Sequence, residues 1–400
     1  MKRIAILGST GSIGRNTLRV IDSLNKKSTE ARRPKEGFQV VGLSAYSNLA
    51  TLLKQVKRFY PKYICLVDKI SAEKARSELS SSCNVLSGQK GLEDLIERSN
   101  ADIVVLAIAG SDALMPLVEA IRCKKTVILA NKEALVIAGS IIMRRAKENQ
   151  VKILPVDSEQ SAIWQCLEGR EKQKIKRIYL TASGGPFKDY NPQQLKGISI
   201  GDVLSHPCWN MGRRITVDSA TLMNKGLEII EAMWLFDLNL SKIQVIIHPE
   251  AVIHSMVEFF DGVILAQLSI TDMRIPIQYA LTYPFRLVSN LKPLDFFKLK
   301  KINFQKPNMK RFPCLRLAIE AAGERGSMPC VLNAADEVAV DAFLNKKIDF
   351  TDIPRIITQV MNRHRKITNP DLKEILATDT WARNEAKRII KNRFDLSVYS

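Results

Sequence analysis

Throughout the first 156 residues, short apolar runs alternate with longer stretches in which apolar side chains recur every three or four positions. The runs at 3–7, 40–43, 63–67, 103–107, 126–129 and 152–156 have the length and composition of buried strands. Between them, Leu49, Leu52, Leu53 and Val56, and later Leu114, Leu117, Val118 and Ile121, keep helical spacing. This alternation predicts repeated βαβ units and a parallel sheet covered by helices. Residues 25–37 are polar, highly charged and carry one proline, so an exposed loop is expected there. From 157 to 282 the pattern becomes strands separated by Gly- and Pro-containing turns, with one strong helix over 219–236. Residues 283–310 read as a connector, and 311–400 as a helical bundle built on residues such as Leu315, Ala318, Ile357 and Val360. The expected fold class is α/β, with a Rossmann-like domain over 1–156, an α+β domain over 157–282 and a C-terminal helical domain over 311–400.

Composition narrows the function classes. With 46% hydrophobic and 25% charged residues, the 400-residue chain is ordinary globular material. Its longest apolar runs, such as 103–109, fall far short of the roughly 18 residues a membrane-spanning helix needs. The apolar run after Met1-Lys2-Arg3 is too short for a secretory signal, and a cytoplasmic protein is expected. Seven cysteines form no C-x-x-C pair and read as reduced core thiols. The net charge of +19 favours anionic partners: nucleic acid, an anionic membrane surface or phosphorylated small molecules. The basic stretches at 172–177 and 387–393 lack aromatic interleaving and any nucleic-acid motif, and solvated helix faces account for them.

Gly8-Ser9-Thr10-Gly11-Ser12-Ile13-Gly14 follows the first strand and opens a helix. Glycines there allow a tight turn and a close approach of helix-terminal N–H groups to a pyrophosphate, the sign of a dinucleotide site. The second strand ends in Ala45-Tyr46-Ser47-Asn48 without the acid that would hold an NAD ribose. Ser47 and Asn48 can instead donate to a 2′-phosphate, which favours NADPH. Asp157-Ser158-Glu159 sits at the end of a strand, where i and i+2 point the same way; the pair fits Mg²⁺ or Mn²⁺, or else a polar helix start. The polar opening of the 219–236 helix offers Ser219 and first-turn amides to an anion. Lys225 and Glu228 would serve phosphate and metal there, or form a surface pair. Ser183-Gly184-Gly185-Pro186 suits a phosphate or a plain turn, and Asn131-Lys132-Glu133 a ligand edge or a helix cap. The stretch His206-Pro207-Cys208-Trp209-Asn210-Met211-Gly212 reads as a lid or a packed loop.

Together these segments, with Pro155-Val156, 217–228 and His248-Pro249-Glu250-Ala251-Val252-Ile253-His254-Ser255, closely resemble the 1-deoxy-D-xylulose 5-phosphate reductoisomerases, over nearly the whole chain. The resemblance implies a metal- and NADPH-dependent enzyme forming 2-C-methyl-D-erythritol 4-phosphate in the non-mevalonate isoprenoid pathway, by retro-aldol cleavage, re-addition and hydride reduction. It implies that Thr10, Gly11, Ser12 and Ile13 hold cofactor phosphates, with Ser47 and Asn48 at the 2′-phosphate and Asn131, Glu133 and Gly212 near ribose and nicotinamide. Asp157, Glu159 and Glu228 would bind the metal, and Lys132 and Ser158 would contact the reacting end of the substrate. Ser183, Ser219, Asn224 and Lys225 would bind its phosphate, His206 would lie along it and Trp209 would close over it. The catalytic domain over 157–282 would support a homodimer, with no nucleic-acid or membrane partner. Two features depart from the family: Tyr46-Ser47 stand where many members have a basic pair, leaving any such role to Arg15 or a loop base, and the 25–37 loop looks like an insertion. A semialdehyde-dehydrogenase-like rival would need a nucleophilic cysteine, and Cys166 lies in an apolar run.

Overall fold

The structure is a computed structural model, and it describes residues 1–27, 37–79, 83–171, 174–191, 193–205 and 212–397, with side chains of the last helix described to residue 392. The expected 25–37 loop lies mostly outside the described residues. Two compact units emerge from the chain. The first comprises Met1–Ala134, Ile142–Ser161 and Asp272–Leu291, and the second Leu135–Ile141, Ala162–Thr271 and Lys292–Ser400.

The first unit holds a parallel sheet of β1 (Lys2–Leu7), β2 (Phe38–Ala45), β3 (Tyr63–Leu66), β4 (Asn84–Ser87), β5 (Ile103–Leu106), β6 (Thr126–Leu129) and β7 (Ile153–Pro155). Its order is β4-β3-β2-β1-β5-β6-β7. Ile4, Ile6, Leu43, Ile64, Val104, Val105 and Ile128 are wholly buried, as strands covered on both faces require. The order reverses between β1 and β5, and ligands of open α/β sheets bind beyond the strand ends at such a point. All six expected strands are present. The strand missing from the sequence reading is β4, a half-buried edge strand of Asn-Val-Leu-Ser whose two apolar residues give no period to detect.

The second unit is built on a mixed sheet, β11-β10-β8-β9, formed by β8 (Ile175–Ala182), β9 (Ile243–Ile247), β10 (Ile253–Phe259) and β11 (Ile264–Leu268). The strand β10 is antiparallel to both neighbours, whereas β8 and β9 are parallel. Helices Pro313–Glu324, Met328–Leu344, Ile353–Arg363 and Leu372–Ser397 form the expected bundle, and their apolar faces share one core with β8 and with the helix Met223–Phe236. A Cβ on Gly226 would fall 2.3 Å from the Cβ of Ala318, so glycine is what lets the helices Met223–Phe236 and Pro313–Glu324 approach this closely.

The single helix expected over 219–236 is instead two, Arg213–Thr221 and Met223–Phe236, broken at Leu222, whose φ is +59°. The Thr221 hydroxyl accepts the Met223 N–H at 3.3 Å, and the Leu222 carbonyl starts the second helix by accepting from Gly226 N. Leu222 keeps this left-handed conformation because its side chain is buried in the core.

Candidate functional site

The glycine-rich turn is clamped from beneath. Gly8 has φ +85° and donates its N–H to Ser44 Oγ at 3.0 Å, and a Cβ there would lie 2.4 Å from the Ala107 carbonyl oxygen. Ser9 is fully buried: its hydroxyl donates to Gln55 Oε1 at 2.6 Å, and Gln55 Nε2 returns a bond to the Ser9 carbonyl at 2.8 Å. A Cβ on Gly14 would lie 2.3 Å from the Gly8 carbonyl oxygen, so the helix Ser12–Lys27 starts tight against the turn. Thr10, Gly11, Ser12 and Ile13 are left at its open side, none of them buried. Sequence reasoning missed Ser44 and Gln55. The signal for Gln55 was a polar residue in phase with Leu52 and Val56 on a helix's apolar face.

Ser47 and Asn48 follow β2 in exposed positions beside an exposed Tyr46. The Asn48 Oδ1 caps the helix Leu49–Phe59 by accepting from Thr51 N at 3.2 Å. Asn131 and Glu133, both buried, brace the loop after β5. Asn131 Nδ2 donates to the carbonyls of Ile108 and Gly110 at 2.9 Å and to Glu133 Oε2 at 2.8 Å, while Glu133 Oε1 accepts from Gly110 N at 3.1 Å. Asn131 Oδ1 also accepts from Ala134 N, as a capping residue would.

Asp157 and Glu159 do not owe their placement to strand alternation: β7 ends at Pro155, and the helix Ser158–Leu167 begins directly after Asp157. The pair therefore sits at a helix start, where the backbone favours negative charge. Lys132 forms an ion pair with Asp157, and the Ser158 hydroxyl donates to Glu159.

In the second unit the start of the helix Met223–Phe236 carries a buried polar set. Glu228 accepts from Asn224 Nδ2 at 2.6 Å and from Lys225 Nζ at 2.5 Å, and the side chains of Lys225 and Glu228 are 4% and 1% exposed. Burial to that degree excludes the surface-pair reading. Ser219 lies in the last turn of the helix Arg213–Thr221 instead of opening a helix. It is brought to the Ser183 turn by packing: Gly185, at φ +67°, would place a Cβ 2.9 Å from the Ser219 carbonyl oxygen. Gly212 precedes the helix Arg213–Thr221, with open space where a side chain would stand. His206 and Trp209 lie outside the described residues.

Asp157 and Glu159 offer carboxylate oxygens from the start of one helix, and Glu228 offers one from the helix Met223–Phe236. With no histidine or cysteine in the set, its chemistry is that of a hard divalent cation.

The motif at His248 is a structural clamp. Its buried ring accepts Val252 N and Ile253 N at Nε2, at 3.3 and 3.2 Å, which makes Nδ1 the donor to the Asn303 carbonyl at 3.0 Å. Glu250 holds the Asn303 side chain as well, tying the connector to β9. Cys166 is buried in the core, far from the setting of an activated thiolate.

Residues 4–139 match the family described as 1-deoxy-D-xylulose 5-phosphate reductoisomerase, residues 153–236 its C-terminal domain, and residues 268–385 the DXP reductoisomerase C-terminal domain. The chain is 49% identical over 389 residues to the 1-deoxy-D-xylulose 5-phosphate reductoisomerase of Caldanaerobacter subterraneus subsp. tengcongensis, covering 97% of this chain and 99% of that one. Against the enzyme of Pelotomaculum thermopropionicum it is 46% identical over 397 residues, covering 99% and 100%. The structure is similar to that of the reductoisomerase from Zymomonas mobilis in complex with NADPH, with a TM-score of 0.88, 38% identity and coverage of 97% and 99%. A reductoisomerase in complex with NADPH, fosmidomycin and magnesium gives the same TM-score and identity, with 98% of each chain covered.

Proposed function

Because this chain belongs to the 1-deoxy-D-xylulose 5-phosphate reductoisomerase family, we propose that the residues above divide that reaction among them as follows. The chain is an NADPH- and magnesium-dependent oxidoreductase of the non-mevalonate isoprenoid pathway, converting 1-deoxy-D-xylulose 5-phosphate to 2-C-methyl-D-erythritol 4-phosphate. The observation that carries the assignment of residues is the carboxylate pair Asp157 and Glu159 at one helix start, with Lys132 on Asp157; together with Glu228 they would suit Mg²⁺. Bound there, the cation supplies Lewis acidity toward the ketone and adjacent hydroxyl of the substrate, and NADPH supplies hydride.

The chain's own groups bind and orient. Lys225 brings charge to the substrate phosphate, and Asn224, Ser183 and Ser219 bring directional hydrogen bonds. Glu228 accepts from both Asn224 and Lys225, so one carboxylate fixes the phosphate-binding groups and also belongs to the metal set. Lys132, paired with Asp157, is a donor to the reacting oxygens, and Ser158 is oriented by Glu159. For His206 and Trp209, which lie outside the described residues, the family resemblance would give places along the substrate and over it.

Thr10, Gly11, Ser12 and Ile13 would receive the cofactor phosphates, and Ser47 and Asn48 the 2′-phosphate. Asn131 and Glu133 act at the nicotinamide end by bracing the 108–110 loop, and the open space at Gly212 leaves room for the cofactor. The segments 1–156, 157–282 and 311–400 would then serve as cofactor, catalytic and supporting helical domains, with 283–310 as the connector. A homodimer is supported by the edge strand β11 and the turn that leads into it, where Val263 and Ile264 are about half exposed and Phe260 is 66% exposed. A cytoplasmic location accords with the use of NADPH and with six free cysteines among the described residues, where no helix is long and apolar enough to cross a membrane.

The test follows NADPH absorbance with 1-deoxy-D-xylulose 5-phosphate, with and without Mg²⁺, in the parent, Asp157→Asn and Glu228→Gln. Metal-dependent turnover that falls at least ~100-fold in both folded variants is expected, as removal of one charge-stabilising group commonly costs. Unchanged turnover in either variant would reject the metal assignment.

A further inference from the structure

A cavity of about 340 Å³ in the second unit is used by none of the roles above. Its floor is apolar, with Leu195, Phe312 and Phe350, and its rim carries Lys310, Arg311, Arg316 and Arg355. No Asp or Glu is among its lining residues. Arg316 and Arg355 have acidic neighbours outside the lining, Glu320 at 2.5 Å and Asp352 at 3.5 Å. Arg311 donates from Nη1 to the Lys188 carbonyl, but its buried Nε has no hydrogen-bond partner. That Nε is closed off from the cavity, so what the cavity offers an anion is the rim's Lys310, Arg316 and Arg355, charge-assisted donors all. The helices Pro313–Glu324 and Ile353–Arg363 both begin at the cavity, where Pro313 and Pro354 line it, and their positive ends add to the field.

The cavity also backs onto both phosphate-binding segments. Phe350 meets the ring of Phe187 at 5.5 Å, and Arg311 holds the carbonyl of Lys188, so the residues that follow Ser183-Gly184-Gly185-Pro186 are anchored on its wall. Thr221 lines it as well, two residues after Ser219 and immediately before the break at Leu222. An occupant would press on the segments that place Ser183, Ser219 and Asn224.

We propose that this cavity is a second ligand site, for a small amphiphilic anion such as a phosphate monoester with a short apolar chain, and that its occupancy is coupled to substrate binding. An apolar floor under a cationic rim is complementary to that class and to neither bare phosphate nor a neutral alcohol. The binding claim stands by itself; only the coupling rests on the phosphate roles proposed above.

Pentyl phosphate is titrated calorimetrically into the full chain, with the substrate site held by saturating 1-deoxy-D-xylulose 5-phosphate in the absence of NADPH. Inorganic phosphate and 1-pentanol are titrated in parallel. One saturable site is expected to remain, at least tenfold tighter for pentyl phosphate than for either comparison. The exposed-rim double variant Lys310→Gln/Arg355→Gln and the cavity-filling Thr358→Phe should each weaken it at least tenfold while keeping basal turnover. Substrate dissociation constants measured with and without pentyl phosphate should differ by the same factor as the reciprocal experiment. No saturable binding, complete displacement by substrate, equal affinity for inorganic phosphate, or unchanged affinity in both variants would overturn the site. A substrate affinity indifferent to pentyl phosphate would overturn the coupling alone.

Discussion

Lys225 and Glu228, to which we assign phosphate and metal binding, form a buried charged pair. Each is almost wholly removed from water, and each is the other's counter-charge at 2.5 Å. Removing Lys225 leaves a buried carboxylate, and uncompensated buried charges of this kind cost about 3–5 kcal/mol. Lys225→Gln should therefore lower stability in urea by about that amount with a chelator present. Mg²⁺ should restore part of the loss if Glu228 is a ligand, and no restoration would speak against that role. His364 gives a pH dependence with a definite sign. Burial holds its imidazole below the ordinary value, and the Ser327 hydroxyl lies 2.7 Å from Nε2. On acidification the unfolded chain takes the proton first, so this contribution is complete above about pH 6.5 and is lost as pH falls toward the folded value. His364→Gln should flatten the decline in thermal stability between about pH 8 and about pH 5; an unaltered decline would assign it to other groups.

Among the elements, the glycine-rich turn separates two kinds of glycine. A Cβ on Gly14 would lie 2.3 Å from the Gly8 carbonyl oxygen, whereas a side chain on Gly11 would find only a contact at 3.4 Å and otherwise project outward. Gly14→Ala should lower the melting temperature together with NADPH affinity. Gly11→Ala should keep the melting temperature and lose NADPH affinity, which a melt and a cofactor titration on the same samples distinguish. Gln55→Leu strips the buried Ser9 carbonyl of its donor, which should cost about 1–3 kcal/mol. The turn's glycine spacing was legible in the sequence because it is local, but its clamp was not, because Gln55 is 46 residues away from Ser9. The break at Leu222 was equally invisible. Apolar periodicity runs through both helices almost in register, and only packing around Leu222 holds a φ of +59° in a residue that does not favour it.

Taken entire, the chain places its chemistry by long-range packing. The helix that carries Asn224, Lys225 and Glu228 is held at Gly226 against Ala318, so a small C-terminal helix face positions the polar set to which we assign phosphate and metal binding. Assembly adds a further prediction: sedimentation of the parent should give twice the chain's mass, and Ile264→Lys on the edge strand should shift it toward the monomer. A parent that sediments as a monomer would remove the dimer. The alternation of strands and helices, the bundle, and the residue types we assign to phosphate, cofactor and metal could all be read along the sequence, since periodicity, turn chemistry and donor type are properties of neighbouring residues. Which helix ends where, which polar residues brace and which face outward, and how Lys132 and Asp157, 25 positions apart, come to pair were decided by tertiary packing. The physical reason is that burial and close contact depend on what the fold brings alongside a residue, and its neighbours in the chain carry no record of that.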